Sequence, residues 1–202
     1  MKRKGQLAWI IIIAILIIDQ LLKIWVKTHM YLGQEFKITD WFIIHFTENK
    51  GMAFGIELGD GDQAKLLLSL FRLVAIGAIG YYLYTLVRRN APVGLIACIS
   101  LILAGAIGNM IDSAFYGLIF NESYYQVATM FPPEGGYAGF LHGKVVDMFY
   151  FPIIKTTLPA WVPFWGGQEF LFFRPVFNIA DSAITVGVII LLIFQKKFFP
   201  KD

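Results

Sequence analysis

The chain has 202 residues, of which 57% are hydrophobic and only 15% are charged, and its mean hydropathy is +0.65. A soluble domain of this length would carry about a quarter charged residues, so the composition excludes an ordinary soluble globular protein. The formal net charge of +3 comes from basic residues that flank apolar segments, and it requires no nucleic-acid partner.

Four apolar windows of about 20 residues are long enough to cross the hydrocarbon core of a bilayer. We therefore predict an all-α membrane protein with four transmembrane helices, forming a single membrane domain over residues 1–202. A basic "MKRK" before the first apolar run is typical of signal peptides, but no small-x-small cleavage motif follows, so we expect a retained helix. The predicted spans are residues 7–26, 66–87, 92–111 and 175–194.

Lysine and arginine residues concentrate before the first span, between the second and third spans, and after the fourth. With four spans, these three places lie on one side of the membrane, which the positive-inside rule identifies as cytoplasmic. Both termini are then cytoplasmic, and residues 27–65 and 112–174 are extracytoplasmic. The basic residues are Lys2, Arg3, Lys4, Arg88, Arg89, Lys196, Lys197 and Lys201.

The two extracytoplasmic segments differ in their sequence patterns. Residues 27–65 mix β-branched and aromatic residues with the turn signals "NKG" and "GDGD", which predicts a small β-rich region of short strands. Residues 112–174 are predicted to form a long loop before the last helix. Its "FPPEGGYAGFLHG" stretch interrupts any regular helix because proline lacks an N–H donor and glycine adds backbone freedom.

Ionisable residues inside membrane spans are costly and are therefore candidate functional residues. Asp19 and Lys23 lie four residues apart on one face of the first helix, a spacing that permits an ion pair, so a structural role is as plausible as a catalytic one. Arg72 lies near the outer end of the second span, where we expect its side chain to extend toward the interface.

Acidic residues near the outer surface indicate carboxylate chemistry. Asp181 lies inside the fourth span, where either Asp112 or Asp147 could reach it. Two carboxylates that share a site hold one proton between them, so one can activate a water while the other protonates a carbonyl. The same acids would also suit a small proton-coupled transporter. The cytoplasmic halves of the spans are uniformly apolar, however, which favours an enzyme.

Five ordered motifs resemble those of bacterial lipoprotein signal peptidase, also called signal peptidase II. The resemblance covers nearly the whole chain and agrees with the four-span topology. The motifs are "DQLLK" (19–23), "NKGMAF" (49–54), "GAIGNMID" (105–112), "GKVVDMF" (143–149) and "FNIADSAI" (177–184).

The resemblance implies an aspartic endopeptidase of the bacterial inner membrane, with Asp147 and Asp181 as the catalytic pair facing the extracytoplasmic side. Its substrates would be diacylglyceryl-modified prolipoproteins, cut just before the lipidated cysteine. It would contact membrane lipid, bind cyclic lipopeptide inhibitors such as globomycin, act as a monomer, and use no metal or cofactor. The residues expected to bind substrate or support the pair are Asp19, Lys23, Asn49, Gly51, Asn109, Asp112 and Asn178.

The chain departs from the family pattern in two places. Ser113 stands where the family usually has an arginine, so a polar contact must be lost or supplied from elsewhere. The spacing between Asp112 and Asp147 is also much longer than usual, which marks residues 118–142 as an inserted loop. A rival alignment would place Asn121 in the catalytic position, but an amide cannot exchange the required proton. The "GKVVDMF" motif therefore favours Asp147.

Overall fold

The computed structural model describes residues 2–49, 62–161, 163–172 and 174–199. The helices are α1 (Lys2–His29), α2 (Asp62–Arg88), α3 (Val93–Ile111), α4 (Gly117–Ile119), α5 (Ile179–Ile193) and α6 (Gln195–Phe198). A π-helical turn, Asp112–Tyr116, joins α3 to α4 without a break.

Within the described residues, three helical stretches are long and apolar enough to cross a membrane: Lys2–His29, Gln63–Arg88 and Val93–Ile119. They extend the first three predicted spans by several residues. The fourth predicted span, 175–194, begins instead with a short strand, and α5 itself has only 15 residues. The prediction of a helical membrane protein with a small sheet is confirmed.

The three basic segments of the chain lie together at one end of the bundle, which we call the basic end. The Lys4 ammonium donates to the carbonyl oxygens of Asn90 and Ala91, at 2.9 and 2.7 Å, in the turn between α2 and α3. Phe198, next to the C-terminal lysines, packs in the same apolar cluster as Ala8 and Leu95. We call the opposite end of the bundle the site end.

Helix α3 is the centre of the bundle and packs against α1, α2 and α5. The sequence of α3 allows this because small residues remove bulk where α5 crosses it. A Cβ atom at Gly105 would lie only 2.2 Å from the carbonyl oxygen of Ala180, so the two backbones are nearly in contact there. Leucine, isoleucine and alanine side chains from all three long helices fill the bundle near the basic end.

Four strands form an antiparallel sheet at the site end, in the order β1 (Glu35–Thr39), β2 (Phe42–Asn49), β3 (Val145–Tyr150) and β6 (Val176–Phe177). A separate hairpin pairs β4 (Ile154–Thr157) with β5 (Glu169–Phe172). The strands expected in 27–65 are therefore present in its described part. Residues 112–174, predicted as a long loop before the last helix, also contain the strands β3, β4 and β5.

The inserted residues 118–142 pack against α1 and β2. The carbonyl oxygen of Ser123 accepts from the Leu32 backbone N–H at 2.9 Å, and the Ser123 hydroxyl accepts from the Lys27 ammonium at 2.8 Å. Phe120 is fully buried. The Tyr137 hydroxyl accepts from the backbone N–H of Lys144 at 2.7 Å, just before β3. The insertion is thus an ordered part of the site end.

The close approach of α3 and α5 generates the first prediction. Gly105→Ala would place a methyl group against the Ala180 carbonyl, and overpacking of this kind costs about 1–3 kcal/mol. We expect a lower Tm in detergent. Gly77→Ala, in α2, is the control: its Cβ meets no atom within 4 Å, and alanine is the better helix former. Equal melting temperatures for the two variants would contradict the packing argument.

Candidate active site

Polar side chains from three helices, a π-helical turn and two strands converge at the site end. Helix α1 and the π-helical turn contribute the most buried charges, and β3 and the start of α5 contribute two further acids. The residues are Asp19, Lys23, Asn49, Asn109, Asp112, Asp147, Asn178 and Asp181.

The Lys23 ammonium is the centre of this cluster. It lies 2.9 Å from Asp19 Oδ2, 2.9 Å from Asp112 Oδ2 and 2.9 Å from Asn109 Oδ1. An ammonium has three N–H donors, so these three acceptors satisfy it completely. Lys23 and both carboxylates are fully buried, which is affordable only because each charge is paired and hydrogen-bonded.

The two carboxylates beside Lys23 also fix neighbouring elements through their remaining lone pairs. Asp19 Oδ1 accepts from the backbone N–H of Ala180 at 2.9 Å, which ties α1 to the start of α5. Asp112 accepts from the Gln20 side chain at 3.0 Å and from the backbone N–H of Val146 at 3.1 Å. Since both oxygens of Asp112 are occupied, this acid positions β3 relative to α3.

Asn178 caps α5 and contacts both remaining acids. Its Oδ1 accepts from the backbone N–H of Asp181 at 2.9 Å, while Asp181 Oδ2 accepts from the Asn178 backbone N–H at 3.3 Å. This reciprocal pair is a capping box. The Asn178 amide also donates to Asp147 Oδ1 at 2.6 Å and to Asn109 Oδ1 at 3.1 Å. One side chain therefore links the helix start to both acids.

Asp147 is held on β3 and is only 2% exposed. In the β2–β3 register Asn49 lies opposite Val145, so its side chain reaches Asp147 diagonally across the strands, and it donates to Asp147 Oδ2. Burial raises the pKa of the Asp147 carboxyl to about 8, and the nearby negative charge of Asp181 acts in the same direction. Both effects favour the protonated form of this carboxyl.

Asp181 has a different environment from Asp147. It is half-buried, and its Oδ1 accepts from the Asn109 amide at 2.8 Å. It lies in the first turn of α5, where the unpaired backbone N–H groups and the helix dipole stabilise negative charge. The site thus holds one buried acid and one half-buried acid, linked through the side chains of Asn109 and Asn178.

Comparison with known proteins agrees with this arrangement. The family model described as signal peptidase (SPase) II matches residues 11–197. A lipoprotein signal peptidase of Porphyromonas gingivalis is 56% identical over 191 residues, which cover 94% of this chain and 83% of that protein. One from Amoebophilus asiaticus is 38% identical, over 89% of this chain and 73% of the relative.

A solved bacterial membrane enzyme, determined by the in meso method at 1.9 Å, shares the fold with a TM-score of 0.62. It is 25% identical, and the match covers 96% of this chain and 95% of that one. The chain belongs to the signal peptidase II family. It is accordingly a membrane protease.

The structure of this signal peptidase II family member brings together all but one of the residues that the sequence suggested. Gly51 lies outside the described residues. The rival residue Asn121 lies in the insertion, where its Oδ1 accepts from the Thr129 backbone N–H at 2.8 Å. It is Asp147 that contacts Asn178, as the "GKVVDMF" alignment requires.

Sequence reasoning did not assign several polar residues that this family member uses at the site end. Gln20 donates to Asp112 and accepts from the Tyr116 hydroxyl at 3.2 Å. Arg72 was expected to extend toward the interface, but its Nη1 donates inward to the Ser113 hydroxyl at 3.4 Å. The spacing of Lys65, Ser69 and Arg72, which places them on one face of α2, was the available signal.

The Lys23 cluster generates the second prediction. Lys23→Met keeps the apolar stem but leaves two buried carboxylates without their cation, which costs about 3–5 kcal/mol. We expect a large drop in Tm in detergent. The control is Lys37→Met, which breaks an exposed pair with Asp40 and should change Tm very little. A small effect at Lys23 would show that the buried ammonium does not hold the site together.

Proposed function

We propose that this protein removes the signal peptide from diacylglyceryl-modified prolipoproteins, just before the lipidated cysteine, with Asp147 and Asp181 as its catalytic acids. The observation that carries the proposal is the shared asparagine framework. Asn178 contacts both acids, and Asn109 contacts Asp181 and Asn178, so the two carboxylates have fixed positions and unequal environments. The relatives named above are lipoprotein signal peptidases.

The first chemical step uses the unequal environments of the two acids. Asp181 acts as the general base and takes a proton from a water molecule, and the water oxygen attacks the carbonyl carbon of the scissile peptide bond. Protonated Asp147 gives its proton to the carbonyl oxygen at the same time. The product is a tetrahedral diol, Asp181 is now protonated, and Asp147 is ionised.

The second step returns both acids to their starting states. Asp181 donates its proton to the peptide nitrogen, and the carbon–nitrogen bond breaks. Asp147 removes a proton from one hydroxyl of the diol as the new carboxyl group forms. The products are the signal peptide with a new C-terminus and the lipidated cysteine with a free amine. The buried Lys23 cluster would hold α1, α3 and α5 in place during both steps.

The neighbouring residues would bind the substrate's main chain. Asn49 lies at the end of β2 and donates to Asp147. Asn49, together with Gly51 in the same motif, would bind the extended peptide segment before the scissile bond. Asp19, Lys23 and Asp112 serve as supporting residues, because hydrogen bonds and ion pairs within the protein occupy their polar atoms.

The membrane placement completes the proposal. Helical hydrogen bonds continue from α5 through Phe194 into α6, so the stretch from 179 to 198 measures about 30 Å, enough for a fourth span. The basic end would face the cytoplasm and the site end the extracytoplasmic side of the inner membrane. The protein would act as a monomer, and its lipidated substrate would arrive through the outer leaflet.

A cyclic lipopeptide such as globomycin would inhibit it by placing a polar group between Asp147 and Asp181.

The transporter alternative requires a polar route across the bundle. Instead, an apolar cluster that includes Ile12, Leu86, Ile96 and Leu103 fills the half nearest the basic end. The described polar cluster is confined to the site end. A one-sided site suits hydrolysis at the membrane surface.

The catalytic pair generates the third prediction. Asp147→Asn and Asp181→Asn should each lower cleavage of a diacylglyceryl prolipoprotein by at least about a thousandfold, since an amide can neither accept nor return the proton. Both variants should remain folded. Asp40→Asn, at an exposed acid, is the matched control and should cleave normally. Near-normal turnover by either site variant, measured by gel mobility of the product, would refute the assignment.

The raised pKa of Asp147 generates the fourth prediction. Because Asp147 must begin the cycle protonated, kcat/KM should fall as the pH rises through about 8. The free energy of unfolding should also depend on the protonation of Asp147. Between its ordinary pKa near 3.8 and about 8, the carboxyl binds more protons in the folded than in the unfolded chain, so stability falls as pH rises.

The Asp147→Asn variant provides the control for this linkage. It cannot lose a proton at that position. The Tm of the variant minus the Tm of the wild type should therefore increase as the pH rises from 5 to about 9. A constant difference in Tm across this range would show that Asp147 has an ordinary pKa. Thermal melting in detergent at four or five pH values is sufficient to decide the point.

A further inference from the structure

Helix α2 carries a polar stripe that the proposed mechanism does not use. Lys65, Ser69 and Arg72 are spaced by four and three residues, so they share one face of the helix, and Ile76 continues that face one turn further from the site end. The Ser69 hydroxyl donates to the Leu141 carbonyl oxygen at 2.9 Å. This face of α2 is therefore packed against the protein at the site end.

Arg72 lies beside the catalytic acids. Its Nη1 donates to the hydroxyl of Ser113, a fully buried residue next to Asp112. The guanidinium also interacts electrostatically with Asp181, Asp112 and Asp147. Ser113 occupies the position where the resemblance implied an arginine. The positive charge is thus present at this site, but it arrives from the neighbouring helix.

An apolar groove opens next to Arg72. It has a volume of about 230 Å³, and the described residues that line it present only apolar atoms to it. One turn of α2 separates Arg72 from Ile76, which lines the groove, and Ser113 is adjacent to Ala114, which also lines it. The remaining walls include Met110 from α3 and Phe140 and Leu141 from the end of the insertion. A cationic donor thus lies within one helical turn of residues that line a cavity suited to an alkyl chain.

We propose that Arg72, supported by Ser113, holds an ester carbonyl of the substrate's diacylglyceryl group while one acyl chain lies in the groove. An ester oxygen can only accept hydrogen bonds and a guanidinium can only donate them, so the two groups are complementary. The glyceryl group is attached to the cysteine beside the scissile bond, which brings its esters close to Asp147 and Asp181. The inference rests on the proposed function and makes Arg72 a substrate-positioning residue.

The first test compares two synthetic lipopeptides that differ only in the glyceryl linkage. One carries two palmitoyl esters on the cysteine, and the other carries the corresponding alkyl ethers, which lack the carbonyl oxygens. Arg72→Met should lower kcat/KM for the ester substrate by at least about tenfold, the value of a lost hydrogen bond to a charged group. The same substitution should change cleavage of the ether substrate little.

Arg174→Ala is the control, because it removes an exposed arginine from the same side of the protein. It should leave both rates unchanged. An equal loss on ester and ether substrates would show that Arg72 contacts the peptide and would overturn the inference. Failure of the proposed function gives a different result, since the wild-type protein would then cleave neither lipopeptide or would still cleave after Asp147→Asn.

A second test moves the arginine from position 72 on α2 to position 113, just after α3. Because Arg72 and Ser113 are in contact, the double variant with Arg72→Ser and Ser113→Arg should recover much of the ester-specific rate that Arg72→Ser alone loses. Recovery would show that the guanidinium itself, at this place, is what the ester requires. A folded double variant with no recovery would overturn the assignment to Arg72.

The groove has its own test at Phe140. Phe140→Ala removes one wall without burying or exposing a charge, and the side chain is already 54% exposed, so folding should be preserved. It should raise KM for the dipalmitoyl substrate more than for a dihexanoyl substrate. Phe131→Ala, in the same insertion and 71% exposed, should change neither. An equal effect of Phe140→Ala on both chain lengths would contradict acyl binding in the groove.

Discussion

The site end depends on the Lys23 ammonium. Burying a lysine among apolar helices is unfavourable unless the protein supplies acceptors, and here Asp19, Asp112 and Asn109 supply all three. Asp19 lies on α1, whereas Asn109 lies on α3 and Asp112 directly follows α3. The ammonium therefore fixes the separation of α1 and α3. The leftover carboxylate oxygens then extend the same constraint to α5 and β3. Close packing permits this: a Cβ at Gly108 would lie 2.8 Å from Asp19 Oδ2.

This rigid frame places two aspartates, Asp147 and Asp181, in different environments. Asp147 lies on a buried strand and accepts from two asparagine amides, yet desolvation dominates and raises its pKa. Asp181 lies in the first turn of a helix, where backbone N–H groups stabilise the charged form. The proposed mechanism uses this difference in environment to move a proton in both directions. The Asn178 side chain maintains it, because the same group caps the helix and donates to the buried acid.

Sequence reasoning predicted the helices and most of the candidate site for identifiable reasons. Span hydropathy and the asparagine–x–x–aspartate spacing at residue 178 are local signals, and the latter is a readable capping box. Residues that depend on tertiary geometry were not predictable in the same way. Asn49 meets Asp147 across 98 residues of chain, and the Arg72 contact depends on the rotation of α2 relative to α3. The composition of "KVVDMFY" favours a β-strand, but the position of this strand in the sheet depends on its pairing with β2, which is distant in sequence.

A second buried cation explains why the inserted residues can take part in the site. The Lys27 ammonium, one turn of α1 beyond Lys23, pairs with Glu48 of β2 and donates to Ser123 of the insertion. Lys144, which precedes β3, contacts Glu48 at 3.4 Å and Glu122 at 3.1 Å. These bonds attach the insertion to the sheet that carries Asp147. The end of the insertion, where Phe140 and Leu141 line the apolar groove, is therefore fixed relative to Asp147. Under the proposed function, an insertion held in this way would shape substrate binding, while Asp147 and Asp181 would transfer the protons.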